Sequence, residues 1–240
     1  MKMNDIDNVL PSDKWEFNRE VSHVFPNMLS RSIPSYSGMR KSISRVAVKF
    51  LKDNKNILDI GCSRGDALKD IFERHDKPKE LSVVGVDSSQ HMLDHAARQF
   101  KDWDNVSFVK ADVLEIGITP GKYGLTLCVL TAQFIPIEKR QRLFKNIYEG
   151  LDSSCGAFIL VEKVLGENAL MQDLLVELYH ELKSENGYSS EQIESKRKSL
   201  EGVLVPLTAS ENERFLEQAG FTTIQRFWQD LNFVAWLAVK

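Results

Sequence analysis

Two stretches of the 240-residue chain bring together residue types that could do chemistry. The run Asn56-Ile-Leu-Asp-Ile-Gly-Cys-Ser-Arg-Gly65 reads as a buried strand ending in a glycine turn that opens a helix. Leu81-Ser-Val-Val-Gly-Val-Asp87 reads as a second buried strand ending on a carboxylate. Gly61 and Gly65 let backbone approach a ligand where a Cβ would collide, and Asp87 can accept from both hydroxyls of a ribose. That combination predicts a nucleoside site. The turn lacks the three glycines of G-x-G-x-x-G, which seat a pyrophosphate on a helix N-terminus. S-adenosylmethionine (SAM), which carries no phosphate, therefore fits better than a dinucleotide.

A third carboxylate, Asp112 in Lys110-Ala-Asp-Val113, follows a third apolar run. On this reading the backbone of Gly61, Cys62 and Ser63 receives the amino-acid end of SAM, Asp59 orders its ammonium and Asp87 binds the ribose. Asp112 accepts from the adenine amino group, and the Val113 N–H donates to a ring nitrogen. Three carboxylates at successive strand ends lie along one crevice at the carboxyl edge of a parallel sheet. Group transfer from a sulfonium asks little of acids and bases, because the leaving thioether is neutral; alignment in a rigid pocket matters most.

Other reactive residues carry weaker signals. Cys62 at a helix start could be a thiolate, but no partner histidine is identifiable. His91 and His95 are four apart, yet Met92 stands where H-E-x-x-H needs glutamate and no third ligand is evident, so no metal is expected. Tyr179 and His180 end an amphipathic helix and could orient a substrate or supply a general base, and Glu162, after the fifth strand, is a comparable candidate.

The elements that must position these residues alternate. Apolar runs predict strands at 57–60, 81–86, 106–109, 125–130 and 157–161, separated by helical periodicity, which means a mostly parallel, doubly wound α/β sheet covered on both faces. Before it, residues 1–52 predict an N-terminal helical cap: a polar opening to about Asp13, a helix from Trp15 that Pro26 closes, and a helix near 42–52. The remaining 53–240 form the SAM-binding unit. Ser88 or Ser89 caps the helix that carries Met92 and Leu93. Residues at about 167–200 are helical and interrupted at Asn186-Gly187-Tyr188, with Ser189 as the next cap, which predicts a lid. Ser210 and Glu213 read as a capping box, and strands at 221–227 and 231–239, joined at Gln229-Asp230, predict a C-terminal antiparallel hairpin.

Composition sets the class. With 42% hydrophobic and 27% charged residues the chain can bury a core unaided. A net charge of -3 with interspersed signs gives no basic surface for nucleic acid. Three cysteines without C-x-x-C spacing argue against a disulfide framework or a zinc site. Acidic residues at the start instead of an apolar signal core, and no apolar run of membrane-spanning length, complete the expectation of a soluble cytoplasmic protein acting on a small molecule.

Several blocks are more distinctive than the glycine turn: Phe17-Asn-Arg-Glu-Val-Ser-His-Val-Phe-Pro-Asn-Met-Leu-Ser-Arg-Ser-Ile-Pro-Ser-Tyr36, Gln133-Phe134, Asn186-Gly-Tyr-Ser189, Lys196-Arg197 and Asn232-Phe233. From about Trp15 onward the chain resembles the carboxy-SAM synthase branch of the class I SAM methyltransferase superfamily, which implies a Rossmann-like fold and a homodimer. The resemblance carries cofactor contacts onto Tyr36, Gly61, Cys62, Ser63, Asp87, Ser88, Asp112 and Val113, and a carboxylate clamp onto Arg197. An aromatic face such as Tyr36 suits a sulfonium, and a guanidinium fork suits a carboxylate. Members make carboxy-SAM from SAM and prephenate, capturing the released carbon dioxide, and a partner enzyme uses the product on the tRNA wobble uridine. The chain departs from the family at Val129, where an asparagine lies near the cofactor, and at Asp152-Ser-Ser-Cys-Gly156, where Asn-Pro-Gly-Gly is favoured. With that amide gone, the leading expectation is methyl transfer from SAM to a small, anionic acceptor anchored by Arg197. Carboxy-SAM synthesis is the second reading, and a SAM-binding scaffold without catalysis is the third.

Overall fold

The protein's structure is a computed structural model that describes residues 6–11 and 13–240. Five parallel strands form its centre: β1 (Asn56–Ile60), β2 (Ser82–Asp87), β3 (Val106–Lys110), β4 (Leu125–Val129) and β5 (Ala157–Leu165). The two-residue β6 (Leu207–Thr208) pairs with the far end of β5, and a hairpin of β7 (Thr223–Asp230) and β8 (Phe233–Val239) adds antiparallel strands. The order β3-β2-β1-β4-β5-β8-β7 reverses direction between β1 and β4, which opens a crevice there. The expected doubly wound sheet with a C-terminal hairpin is what forms.

Period-two alternation divides the core. Leu58 and Ile60 of β1 face one side with Phe158, Leu160 and Trp236, covered by α5 (Ile137–Gly150) and α8 (Ala209–Ala219). Ile57 faces the other with Leu125, Leu127 and Ile159, covered by α2 (Tyr36–Ala47) and α3 (Asp66–Arg74). Asp59 falls two residues after Ile57 and so shares the face that α2 covers.

The cap differs from expectation at Pro26. Helix α1 (Arg19–Ser32) runs straight through it. A proline inside a helix leaves the carbonyl four residues back without its N–H partner. That carbonyl belongs to Ser22, and Arg64 of the glycine turn donates to it at 2.6 Å. The guanidinium replaces the missing backbone donor and ties the cap to the turn. Helix α2 starts earlier than the 42–52 expected, because its apolar stripe is Met39, Ile43 and Ala47, and Ser35, in a left-handed conformation (φ 43), turns the chain into it.

The stretch expected to form a lid folds as α6 (Ala169–Glu185) and α7 (Ser190–Ser199), the latter opened by a Ser189–Gln192 capping box. The opening segment is more than polar filler. Buried Asp7 accepts from the Tyr188 hydroxyl and the Lys196 ammonium, Ser195 Oγ donates to the Pro11 carbonyl (3.2 Å), and the Trp15 N–H to the Ser199 carbonyl (2.9 Å). Near the C-terminus, Thr208 and Glu211 form the capping box of α8 in place of Ser210 and Glu213, since Glu213 is taken by Arg226 and Trp236 Nε1. The hairpin turns at Leu231 (φ 43) and Asn232, two positions later than expected, since Gln229 and Asp230 still pair with Val234 and Phe233; a bulge between Arg226 and Trp228 shifts the register by one residue. No helix among the described residues is long and apolar enough to cross a membrane.

Arg64→Met should destabilise the fold by about 1–3 kcal/mol, since it strands a carbonyl. In a Pro26→Ala background, where the substituted residue regains an N–H that can donate to Ser22, the loss should shrink. Urea unfolding of the four-member cycle measures both.

Candidate active site

A cavity of about 770 Å³ opens at the carboxyl edge of the sheet, beneath the cap and the lid. Of the residues singled out in the sequence, Tyr36, Asp59, Gly61, Cys62, Ser63, Asp87, Ser88, Asp112, Val113, Val129, Tyr179, His180 and Arg197 all line it. Gly65 does not; it closes the turn behind the wall at φ +76, packed against Phe100. Glu162 is also absent from the lining. Its buried carboxylate accepts from the Ala132 N–H at 3.0 Å and pins the short turn Ala132–Phe134.

The glycine turn is held by backbone bonds. Gly61 adopts φ +69, and a Cβ there would lie 2.1 Å from Thr131 Oγ1. The N–H groups of Gly61 and Cys62 donate to the Val86 carbonyl (2.8 and 3.0 Å), and that of Ser63 donates to Asp87 Oδ2 (2.8 Å). None of these three N–H groups is left for a ligand. Asp87 also accepts the Ser89 N–H on Oδ1 at 2.8 Å, so one carboxylate joins the turn to the start of α4 (Gln90–Gln99). Ser89 is that helix's cap. The Ser88 N–H also lies against this carboxylate, and the acceptor capacity left over is what a ribose hydroxyl would use.

Asp59 is different. It is 2% exposed, and no described residue donates a hydrogen bond to it. Burial first, and then the charge of Asp87, push its carboxyl up to about 8. A cation placed beside it would offset both terms, so a ligand with an ammonium and a sulfonium fits this end of the cavity. The same burial and the same two carboxylates keep the Cys62 thiol protonated, its pKa raised well above the usual thiol value. Asp112 is exposed, with Oδ1 engaged by the Leu114 N–H at 2.9 Å and the other oxygen clear. Tyr36 is half-buried at the first turn of α2, and the Arg40 guanidinium lies 5.7 Å from its ring centroid. Leu130, just after β4, has φ 57, a strained conformation for a non-glycine residue, beside Val129 on the cavity wall.

The opposite end is cationic. Arg197 sits at the mouth, 47% exposed, in a fork with Glu194 (2.8 and 2.9 Å) and a bond to Glu201 (2.6 Å). Deeper in, the Lys163 and Lys183 ammonium groups lie 4.3 and 4.6 Å from the centroid of the Tyr179 ring. Sequence reasoning missed both lysines: Lys163 follows Glu162, read as lying past a strand's end, Lys183 lies within a stretch read only as helical, and the fold turns both inward. His180 is half-buried among these cations, which, after burial itself, lower its pKa and favour the neutral ring.

Comparison with known proteins follows the same division. The methyltransferase-domain family model matches residues 57–154, the strands and turn that carry the acidic end. The carboxy-S-adenosyl-L-methionine synthase of Staphylococcus epidermidis is 37% identical over 231 residues, covering 95% of this chain and 97% of that protein. That of Methylococcus capsulatus is 38% identical over 231 residues, covering 95% and 94%. The chain belongs to the carboxy-S-adenosyl-L-methionine synthase family. It is thus a SAM-dependent transferase of the methyltransferase superfamily, with SAM or carboxy-SAM as its nucleoside. Solved structures agree on the fold: a Leishmania major SAM-dependent methyltransferase superposes with TM-score 0.59 at 15% identity, covering 92% of this chain and 77% of that one. Human N-acetylserotonin methyltransferase in complex with SAM gives 0.60 at 15%, covering 92% and 55%.

SAM binding should release a proton at pH 7, because the cation ionises an Asp59 that is mostly protonated without it. Affinity should rise as pH increases from about 4 to 8. Calorimetry in two buffers of different ionisation enthalpy reads the proton, and Asp59→Asn should abolish its release.

Proposed function

We propose that the chain makes carboxy-SAM from SAM and prephenate. The observation that carries this reading is one cavity joining an acidic, nucleoside-type end to a cationic end under the lid. Prephenate loses carbon dioxide and expels its ring hydroxyl as hydroxide, becoming phenylpyruvate; the hydroxide takes a proton from the methyl that the sulfonium acidifies, leaving as water, and the resulting carbanion bonds the carbon dioxide. The protein's residues do the holding. Asp87 grips the ribose, Asp112 and Val113 the adenine, and Asp59 the ammonium, while the Tyr36 ring faces the sulfonium. Arg197 exchanges a glutamate for a substrate carboxylate, and Tyr179 and His180 orient the substrate on the lid side. Gly61, Cys62, Ser63 and Ser88 shape the wall, with Gly65 behind them.

Methyl transfer to a small anionic acceptor, the leading expectation from the sequence, becomes the second reading, favoured by Val129: an apolar side chain on the wall cannot supply the amide hydrogen bond found in the family. Residues 1–52 act as the cap of a unit spanning 53–240, with 167–200 as the lid. The active species is a cytoplasmic homodimer. Three free cysteines support a reducing compartment, and the exposed apolar face of α6, with Leu170, Met171 and Leu174, supports self-association.

Mass spectrometry of ligand retained through purification should find carboxy-SAM; SAM or its demethylated product alone would favour methyl transfer, and no adenosyl ligand would count against both. Arg197→Ala should leave SAM affinity within twofold and cut turnover at least about tenfold, the cost of one charge-assisted hydrogen bond. An unimpaired rate returns that arginine to the surface.

A further inference from the structure

We propose that Lys163, Lys183 and the Tyr179 ring form a second anion subsite, separate from Arg197, that holds a carboxylate of the small substrate. This rests on reading the cavity as the active site. Three lysines gather under the lid, and they are not equivalent. Lys196 has its counter-charge, buried Asp7. Lys163 and Lys183 have none within salt-bridge reach among the described residues, although Lys183 is 8% exposed and both line the cavity. Their contact with one aromatic ring places the two ammonium groups no more than about 9 Å apart. Desolvating an ammonium without an acceptor is costly, and an anion in the cavity would offset that cost at both lysines. The Tyr179 face holds the cations in position without neutralising them, leaving their N–H donors to the cavity.

The groups facing this pair are Tyr179 and His180 on α6, Tyr188 before α7, Lys196 and Arg197 on α7 with Glu194 and Glu201 beside the arginine, and Asp7 from the opening segment. Burial pushes Lys163 down to about 8; burial and the neighbouring Lys163 and Lys196 push Lys183 down to about 7. Anion binding requires the charged form. Binding above pH 7 therefore takes up a proton, and affinity falls as pH rises through 7 to 9. The nucleoside end behaves oppositely and releases one.

The test is calorimetric titration of SAM-saturated protein with prephenate and, separately, malonate, in two buffers at pH 8. Wild type should bind at least one of them with proton uptake. Lys163→Met and Lys183→Met should each weaken that binding about tenfold or more, leave SAM affinity within twofold and not lower Tm, since an unpaired buried charge is removed. Lys183→Arg should restore much of the affinity, and it carries the test if the methionine variant fails to fold. Unchanged anion affinity in both methionine variants, or no binding of either anion to wild type, overturns the subsite. Lysine-dependent anion binding without carboxy-SAM in the retained ligand would sink the synthase reading and leave the subsite standing.

Discussion

Charge held out of water without a partner is the constraint around which this molecule is organised. An uncompensated buried ion costs roughly several kcal/mol even after local relaxation. The protein has one acidic group without an ion-pair partner, buried Asp59, and two basic ones, buried Lys183 and half-buried Lys163, all on the wall of a single cavity. Elsewhere its buried charges are matched: Glu162 with backbone donors, Arg140 with the carbonyls of Ile135 and Val205, Lys196 with Asp7. The unmatched ones mark where a ligand supplies the missing charge, and their signs say which part of it goes where. Under the proposed function, a sulfonium-bearing amino acid belongs at the sheet and a carboxylic acid beside Lys163 and Lys183.

The sheet end is rigid because its parts hold one another. Asp87 binds the turn through Ser63 and the start of α4 through Ser89, and Arg64, leaving the same turn, reaches the carbonyl that Pro26 strands in α1. Cap, turn and nucleoside face are therefore linked by hydrogen bonds through Ser63, Arg64, Asp87 and Ser89. The lid is tied from the other direction, by Asp7, Pro11 and Trp15 crossing α7.

The sheet and its acidic strand ends were legible in the sequence because they rest on local signals: period-two burial, glycine where φ is positive, a carboxylate after an apolar run. The lysine pair was not. Lys163 follows Glu162 in Val161-Glu-Lys-Val164, where two charges look like a strand's end, yet β5 continues to Leu165 because Gln133, Ala132 and Asn232 satisfy its backbone and the glutamate. Lys183 occupies a helix whose apolar residues lie partly in the open, so its pattern does not say which side turns inward. At Pro26 the ordinary rule that proline ends a helix gives way to a side chain 38 positions later in the chain.

Cys62 carries a chemical corollary. Sulfonium compounds alkylate thiolates, and this sulfur lies in the wall of a pocket built to hold one. Two neighbouring carboxylates and near-complete burial keep its proton in place, so the most nucleophilic atom within reach of the reagent is also the most thoroughly silenced. Burial, reinforced by the same acidic surroundings that suit a cationic reagent, is what keeps this thiol from being alkylated.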